Sequence, residues 1–381
     1  MALSVGSGAT ELRAATTAAS GTPKADVDAR SVAKGFSLSV LRFKIAPVKA
    51  PRAVVDTAIG VFVLDFGGWV QNRGRLVRMT RGGAGVEVVF KGLDRPHGMA
   101  VGPDGLIYVG ESSRIFRFDP KNPTATRKIV VTLPPKPGEW KHPLTQFAWL
   151  KDGTMIVNNG SRTNNCGSDR SKVCTEVGGQ LPAASLLRVM PGGARASGVL
   201  ATGLRNSMGI VVHASGTIVQ AENSRDSIDE ADPSLSDSQL PHDELNVIAP
   251  GANYGWPYCF DDQRNSPEFP TFACSAKTQR PTVLLPAHSA PLGLAYWTPR
   301  GGREVLVVAL HGYRDTGHRL MAFNVDPSGR PVGDPTELVR WAGDGESVDE
   351  IPGPVGISVA RDGALLIADD RRGKILELRP V

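Results

Sequence analysis

One phrase recurs along this 381-residue chain: a short apolar strand, a tight polar turn, a second apolar strand, then a basic stretch ending in further apolar residues. The clearest copies run from Pro96 to Phe118 and from Pro354 to Leu378. Between them lie Gln146 to Gly160, Met208 to Glu222, and Leu292 to Trp297 followed by Glu304 to His311. A looser first copy spans Ala53 to Met79. Repeats of about 40–60 residues, each holding several short strands, are the mark of propeller blades. Asp-Gly at 104–105, 152–153 and 362–363 and Ser-Gly at 215–216 separate the paired strands. These residues tolerate the positive φ of a tight hairpin turn and so set strand register. No segment keeps an apolar period of 3.6. The expected fold is all-β, a six-bladed β-propeller over residues 36–381, preceded by a flexible tail over residues 1–35 that is rich in Ala, Ser, Thr and Gly.

Composition narrows the function classes. The net charge of +5 comes from 43 basic and 38 acidic residues dispersed along the chain, without the basic run that nucleic-acid binding calls for. No apolar stretch approaches the roughly 18 residues of a membrane span. The tail has no apolar h-region and does not read as a signal peptide. Four cysteines form two local pairs in loops, Cys166 with Cys174 and Cys259 with Cys274. An even count in loop pairs suggests two disulfides and an oxidising compartment, hence a periplasmic or secreted location. Zinc is the rival, but neither Cys-x-x-Cys spacing nor an adjacent histidine supports it.

Seven histidines are candidates for acid–base chemistry near neutral pH. His97, His142, His288 and His311 fall at strand ends that one propeller face would gather around its axis. His213 and His318 lie beside turns and read as surface residues, and His242 sits in an acidic segment suited to capping or metal. Arg205-Asn206 places a fixed cation beside a carboxamide just before another inner strand. That pair suits either an anionic or carbonyl ligand or a salt bridge closing the blade.

Several of these segments together resemble the glucose/sorbosone dehydrogenase family: Thr202 to Gly209, Ala221 to Asp226, Asp243 to Asn246, Asn253-Tyr-Gly-Trp-Pro-Tyr-Cys259, Pro286 to Tyr296, and Ala309 to Gly312. The resemblance covers about residues 45 to 380. It implies a six-bladed propeller using pyrroloquinoline quinone and Ca2+ to oxidise a sugar or sugar aldehyde, with an external electron acceptor. It also implies that His142 is the general base, that Arg205 and Asn206 contact the quinone carbonyl edge, and that the main-chain carbonyls of Ser224 and Arg225 hold calcium. His311 matches a position that is lysine or histidine in relatives.

Two departures stand out. The family's Gly-Arg-Pro-Val-Gly is Pro352-Gly-Pro-Val-Gly356 here, and Tyr313 to Arg319 replaces the usual Ser-Trp-Asn-Arg. Arg314 or Arg319 is expected to supply the missing cofactor-facing charge. The alternatives are a non-enzymatic propeller that binds a carbohydrate or protein, and a calcium-dependent lactonase-like hydrolase. The hydrolase would need carboxylates from several blades, whereas Asp226, Asp243 and Glu244 read as one loop.

Overall fold

Strands such as Val305–Leu310 and Leu365–Asp369 are buried at every residue, so their sheets must be covered on both faces. Alternate residues of Leu365–Asp369 divide the work. Leu365 and Ile367 pack with Trp297, Val307 and Leu320, while Leu366 and Ala368 pack with Val54, Val63 and Val77. A sheet buried in this way on both sides needs a neighbour on each, and repetition of that demand closes a ring.

The computed structural model describes residues 27–41, 48–80, 85–136, 138–167, 174–312, 314–341 and 351–381. Among them, six antiparallel sheets form six blades. Blade 1 comprises Pro51–Thr57, Gly60–Asp65, Gly74–Met79 and Val86–Leu93. Blade 2 has Met99–Val101, Ile107–Glu111, Arg114–Phe118 and Lys128–Thr132. Blade 3 has Phe147–Trp149, Met155–Asn159, Ser185–Val189 and Gly198–Thr202. Blade 4 has Ser207–Val212, Ile218–Glu222, His242–Val247 and Val283–Ala287. Blade 5 has Pro291–Trp297, Val305–Leu310, Arg319–Val325 and Pro331–Arg340. Blade 6 begins with Pro354–Val359, Leu365–Asp369 and Lys374–Pro380.

The ring closes with the start of the chain. Phe36–Val40 supplies the fourth strand of blade 6, pairing Phe36 with Pro380 through Val40 with Leu376. Ser31–Val32 adds a fifth strand to blade 5, and Trp341 Nε1 donates to the Val27 carbonyl. Val27 and Ala29 are buried there. Residues 27–35 therefore correct the expected tail, since they have an apolar blade edge to cover; residues 1–26 lie outside the described residues. The turn reading holds: Gly105, Gly153, Gly216 and Gly363 all take positive φ. Both disulfides form, with Cα–Cα distances of 5.7 Å and 5.9 Å.

Innermost strands meet around the axis, and there two glycines of the repeated phrase are explained by space. A Cβ on Gly293 would lie 2.1 Å from the Val355 carbonyl oxygen, and one on Gly356 would lie 2.3 Å from that of Arg52. Neither neighbour is a side chain that can swing away. Gly293→Ala should therefore destabilise the protein by about 3 kcal/mol, the upper part of the usual overpacking range. Gly198→Ala, where nothing lies within 4 Å, should be neutral or slightly stabilising, as entropy arguments expect. Urea unfolding of the two variants checks both.

Candidate active site

In each blade the first strand starts, and the second strand ends, at the same end of the ring. The Asp-Gly turns occupy the opposite end. This register collects His97, His142, Arg205, Asn206 and His288 from the approaches to first strands, and Ser112, Ser161, Asn223, His311 and Asp370 from the ends of second strands. An apolar floor lies at the same strand ends: Phe66, Leu144 and Met208 pack together with Ala50 and Leu292 against them.

His142 has one ring nitrogen assigned by its partners. Nδ1 lies 2.8 Å from Ser161 Oγ and 3.1 Å from the Ser161 carbonyl. The Ser161 hydroxyl donates its proton to the Thr163 carbonyl, so both Ser161 oxygens accept and Nδ1 carries the hydrogen. Nε2 keeps its lone pair. Burial, then the Arg205 cation, holds His142 well below the ordinary histidine range, so the ring is neutral. Next to it, Lys136 Nζ bridges the carbonyls of Ser112 and Pro143 at 2.9 Å each.

Arg205 is 3% exposed and gives all five N–H donors to the protein. Nε donates to the Asn164 carbonyl, and the two terminal nitrogens donate to the carbonyls of Asn223 and Ser224, to Asn164 Oδ1 and to Asp226 Oδ2. As placed, no donor remains for a quinone carbonyl; what Arg205 offers is a fixed charge. The Asp226 carboxylate, about half exposed at 52%, faces His288 Nδ1 at 3.5 Å. Desolvation would raise its pKa, but His288 and Arg205 outweigh that and hold it at about 2. Asn206 donates its main-chain N–H to Glu222, while its buried Oδ1 has no partner.

Across the axis, Asp370 joins Arg52 at 3.1 Å and His311 Nε2 at 2.8 Å. The Arg52 guanidinium also lies 4.6 Å above the Phe66 ring, which ties this ion pair to the floor. His97 is buried beside them, and burial followed by the Arg52 charge lowers its pKa to about 3. At Gly353, a Cβ would come within 2.8 Å of the His311 ring and 3.1 Å of Arg371 Cδ. The place of the family arginine is therefore filled by His311 and Arg371.

The structure corrects other expectations. Arg319 turns away from the axis to Glu337 and the carbonyls of Asp315 and Gly317. Arg314 is held at the rim by Asp237 at 2.8 Å. Neither restores a charge at the axis; Arg52 and Arg371 stand there instead, in segments without a histidine or a motif to draw attention. Near Ser224 and Arg225, oxygens that could turn to a calcium ion already accept hydrogen bonds. The Ser224 carbonyl already accepts from Arg205, and Asp243 is taken by the amides of Ser224 and Ala290 and the Ser289 hydroxyl. Asp243 and Glu244 lie on the third strand of blade 4, not in the loop with Asp226. Arg225 pairs through its side chain with Glu268. His242 bonds Asp261, and His318 is fully buried instead of lying at the surface.

Known proteins share this architecture. The family model described as TrAA12-like matches residues 31–380. A pyrroloquinoline quinone-dependent pyranose dehydrogenase of Coprinopsis cinerea is 26% identical over 316 residues, 71% of this chain and 42% of that protein. An uncharacterized protein of Borreliella burgdorferi is 28% identical over 189 residues, 46% of this chain and 47% of its own length. The chain thus spans about half the length of the curated relatives it matches. The fold agrees with the calcium structure of the Trichoderma reesei family AA12 enzyme (TM-score 0.72, 20% identity, 95% and 100% of the two chains covered). It agrees also with the holo form of the quinone domain of the C. cinerea pyranose dehydrogenase (TM-score 0.69, 19% identity, 92% and 96% covered).

His318 provides a test of the buried rim. Burial lowers its pKa to about 4, with the nearby Arg371, His311 and Arg319 adding to the effect and the Pro352 carbonyl opposing it. The unfolded chain binds this proton near pH 6.5, so the stability that neutral His318 contributes is lost as pH falls from 6.5 towards 4. His318 has φ +55°, which asparagine tolerates. His318→Asn should flatten the fall in unfolding free energy between pH 6.5 and 4.5 while leaving the neutral-pH slope unchanged.

Proposed function

The chain belongs to the TrAA12-like family, and from that premise we propose that it is a quinone-dependent oxidoreductase that oxidises a sugar or sugar aldehyde. The observation that carries the reading is His142: a neutral imidazole with Nδ1 pinned by Ser161 and the Nε2 lone pair left over, within the field of the buried Arg205 cation. The named C. cinerea relative supports the cofactor and substrate class. Two disulfides among the described residues support an exported, oxidising location, and an external acceptor would complete the turnover.

The residues present fit pyrroloquinoline quinone. Buried polar atoms without partners, His97 Nδ1, Thr145 Oγ1 and Asn206 Oδ1, come from three blades at the axis. Arg52 and Arg371 bring positive charge to the same end, complementary to a polycarboxylate. These residues, with His311, would hold the group, which when bound supplies a two-electron acceptor for hydride. The protein's part is then electrostatic and acid–base. His142 Nε2 takes the hydroxyl proton as the carbinol carbon gives up its hydride, so the substrate leaves as the carbonyl and the proton rests on the imidazole. Arg205 stays in place during this step and stabilises negative charge through space, without a donor of its own to reorient.

A lactonase-like reading loses its ligands, because Asp243 is bonded to the amides of Ser224 and Ala290 and Asp226 to Arg205 and His288.

Calorimetry with the quinone, with and without calcium, followed by dye reduction on a panel of aldoses and aldehydes, tests the proposal. Saturable quinone uptake and sugar-dependent dye reduction are expected. Uptake that needs millimolar calcium would place the ion in the binding step. Failure to bind quinone under either condition sinks the enzyme reading. His142→Ala should bind quinone normally and lose roughly 10²-fold or more in kcat, the scale of general-base catalysis. Unchanged turnover would remove His142 from the chemistry.

A further inference from the structure

One stretch of blade 3 touches both halves of the His142–Arg205 arrangement. It leaves the second strand at Ser161, which holds His142, and runs to Glu176 through the Cys166–Cys174 bridge. At its crest Asn164 uses every polar atom of its side chain across the blade boundary. Oδ1 accepts from Arg205 at 2.6 Å and from the Asp226 amide at 3.0 Å, and Nδ2 donates to the Asp226 carbonyl at 2.8 Å. Its main-chain carbonyl accepts from Arg205 Nε at 2.9 Å and from Trp256 Nε1 at 3.1 Å. Two of the five guanidinium hydrogens of Arg205 therefore end on this one residue, as does the backbone that presents Asp226.

The strap itself is tied down. Glu176 accepts from the amides of Arg162 and Thr163 and from the Thr163 hydroxyl. Thr163 Oγ1 in turn accepts from the Cys166 amide at 2.7 Å. The disulfide fixes Cys174, two residues before Glu176, against Cys166, two residues after Asn164. Asn165 reaches the Glu268 carboxylate at 2.8 Å, the same group that pairs with Arg225. Opening the bridge frees one side of the clamp that orients Asn164.

We propose that Asn164, presented by residues 161–167 and tied through the Cys166–Cys174 bridge to the residues leading to Glu176, is a positioning residue that holds Arg205 and Asp226 in place opposite His142. It acts through them and touches no reacting atom. A seam between two blades could be made by any well-packed residue. A carboxamide that accepts from a buried cation with one end and donates to a backbone carbonyl with the other is specific to placement. The catalytic consequence rests on the dehydrogenase reading; the placement of Arg205 does not.

The experiment uses the full chain loaded with pyrroloquinoline quinone and compares Asn164→Ala, Asn164→Asp and the double variant Cys166→Ser/Cys174→Ser. Asn164→Ala and the double variant should lower kcat by about tenfold or more, the effect of a small misplacement at a reacting centre, with KM for the best aldose within about threefold, as expected when ground-state contacts survive. Asn164→Asp keeps the acceptor for Arg205 and should recover part of the loss. Solvent exchange of the Arg205 side-chain N–H groups, read by 15N NMR without quinone, should be slow in the natural protein and markedly faster in Asn164→Ala and the double variant. Unchanged kcat and unchanged exchange in Asn164→Ala would overturn the proposal, as would an equal loss in Asn164→Asp. If Asn164→Ala fails to fold, the Asn164→Asp and double-variant arms decide. If the natural protein oxidises no sugar, the exchange arm still decides the placement while the dehydrogenase reading falls.

Discussion

Everything at the axis depends on sheets that are apolar on both faces. Each interblade seam buries its own cluster, six in all among the described residues, and no blade could keep its hydrophobic residues from water alone. The seams turn six weak hairpin sheets into one rigid body. That rigidity allows side chains far apart in sequence to be held within hydrogen-bond distance. Arg52 and Asp370 stand at opposite ends of the chain, yet they meet because blades 1 and 6 share a wall.

The same rigidity makes the charge arrangement possible. A guanidinium buried to the extent of Arg205 would be expensive without partners. Its acceptors come from blade 3 and blade 4 backbone and side chains, so the cation is neutralised locally while its field still reaches His142. Glu222, beneath Asn206, shows the reverse case. Burial raises its carboxyl to about 8 despite bonds from the Asn206 amide and Gln220, so it sits as the neutral acid below that pH. Around His142 the protein thus sets a buried permanent cation, Arg205, and an ionised carboxylate, Asp226, beside a neutral base.

The fold was legible because the repeated phrase carries its own turn chemistry: Asp-Gly at 104–105 and 362–363 can do little but reverse a strand, and the strands that follow them, Ile107–Glu111 and Leu365–Asp369, are buried throughout. The place of His142 at the axis was legible from its position before an inner strand. Other parts were not. Residue order says nothing of which donors a guanidinium has left, so Arg205 was read as reaching the cofactor when its five hydrogens are taken. Arg314 and Arg319 were chosen for nearness in sequence to His311, whereas Arg52 and Arg371 arrive through the closure of the ring. Asn164 gave no signal beyond its nearness to Cys166, because its partners lie 41, 62 and 92 residues away. The tail was misjudged in its last nine residues because short strands that complete a distant sheet have no local periodicity.

Ring closure by Phe36–Val40 has a directional consequence. The third strand of blade 6 runs away from the end that carries His142 and Arg205, and the Val381 amide bonds the Gly35 carbonyl, so both sides of the closure emerge together behind the disc. A polypeptide or chemical linker joined at Val381 leaves the mouth pointing the other way. Fixed to an electrode through that residue, the protein would turn its site to the bulk solution and its back to the metal.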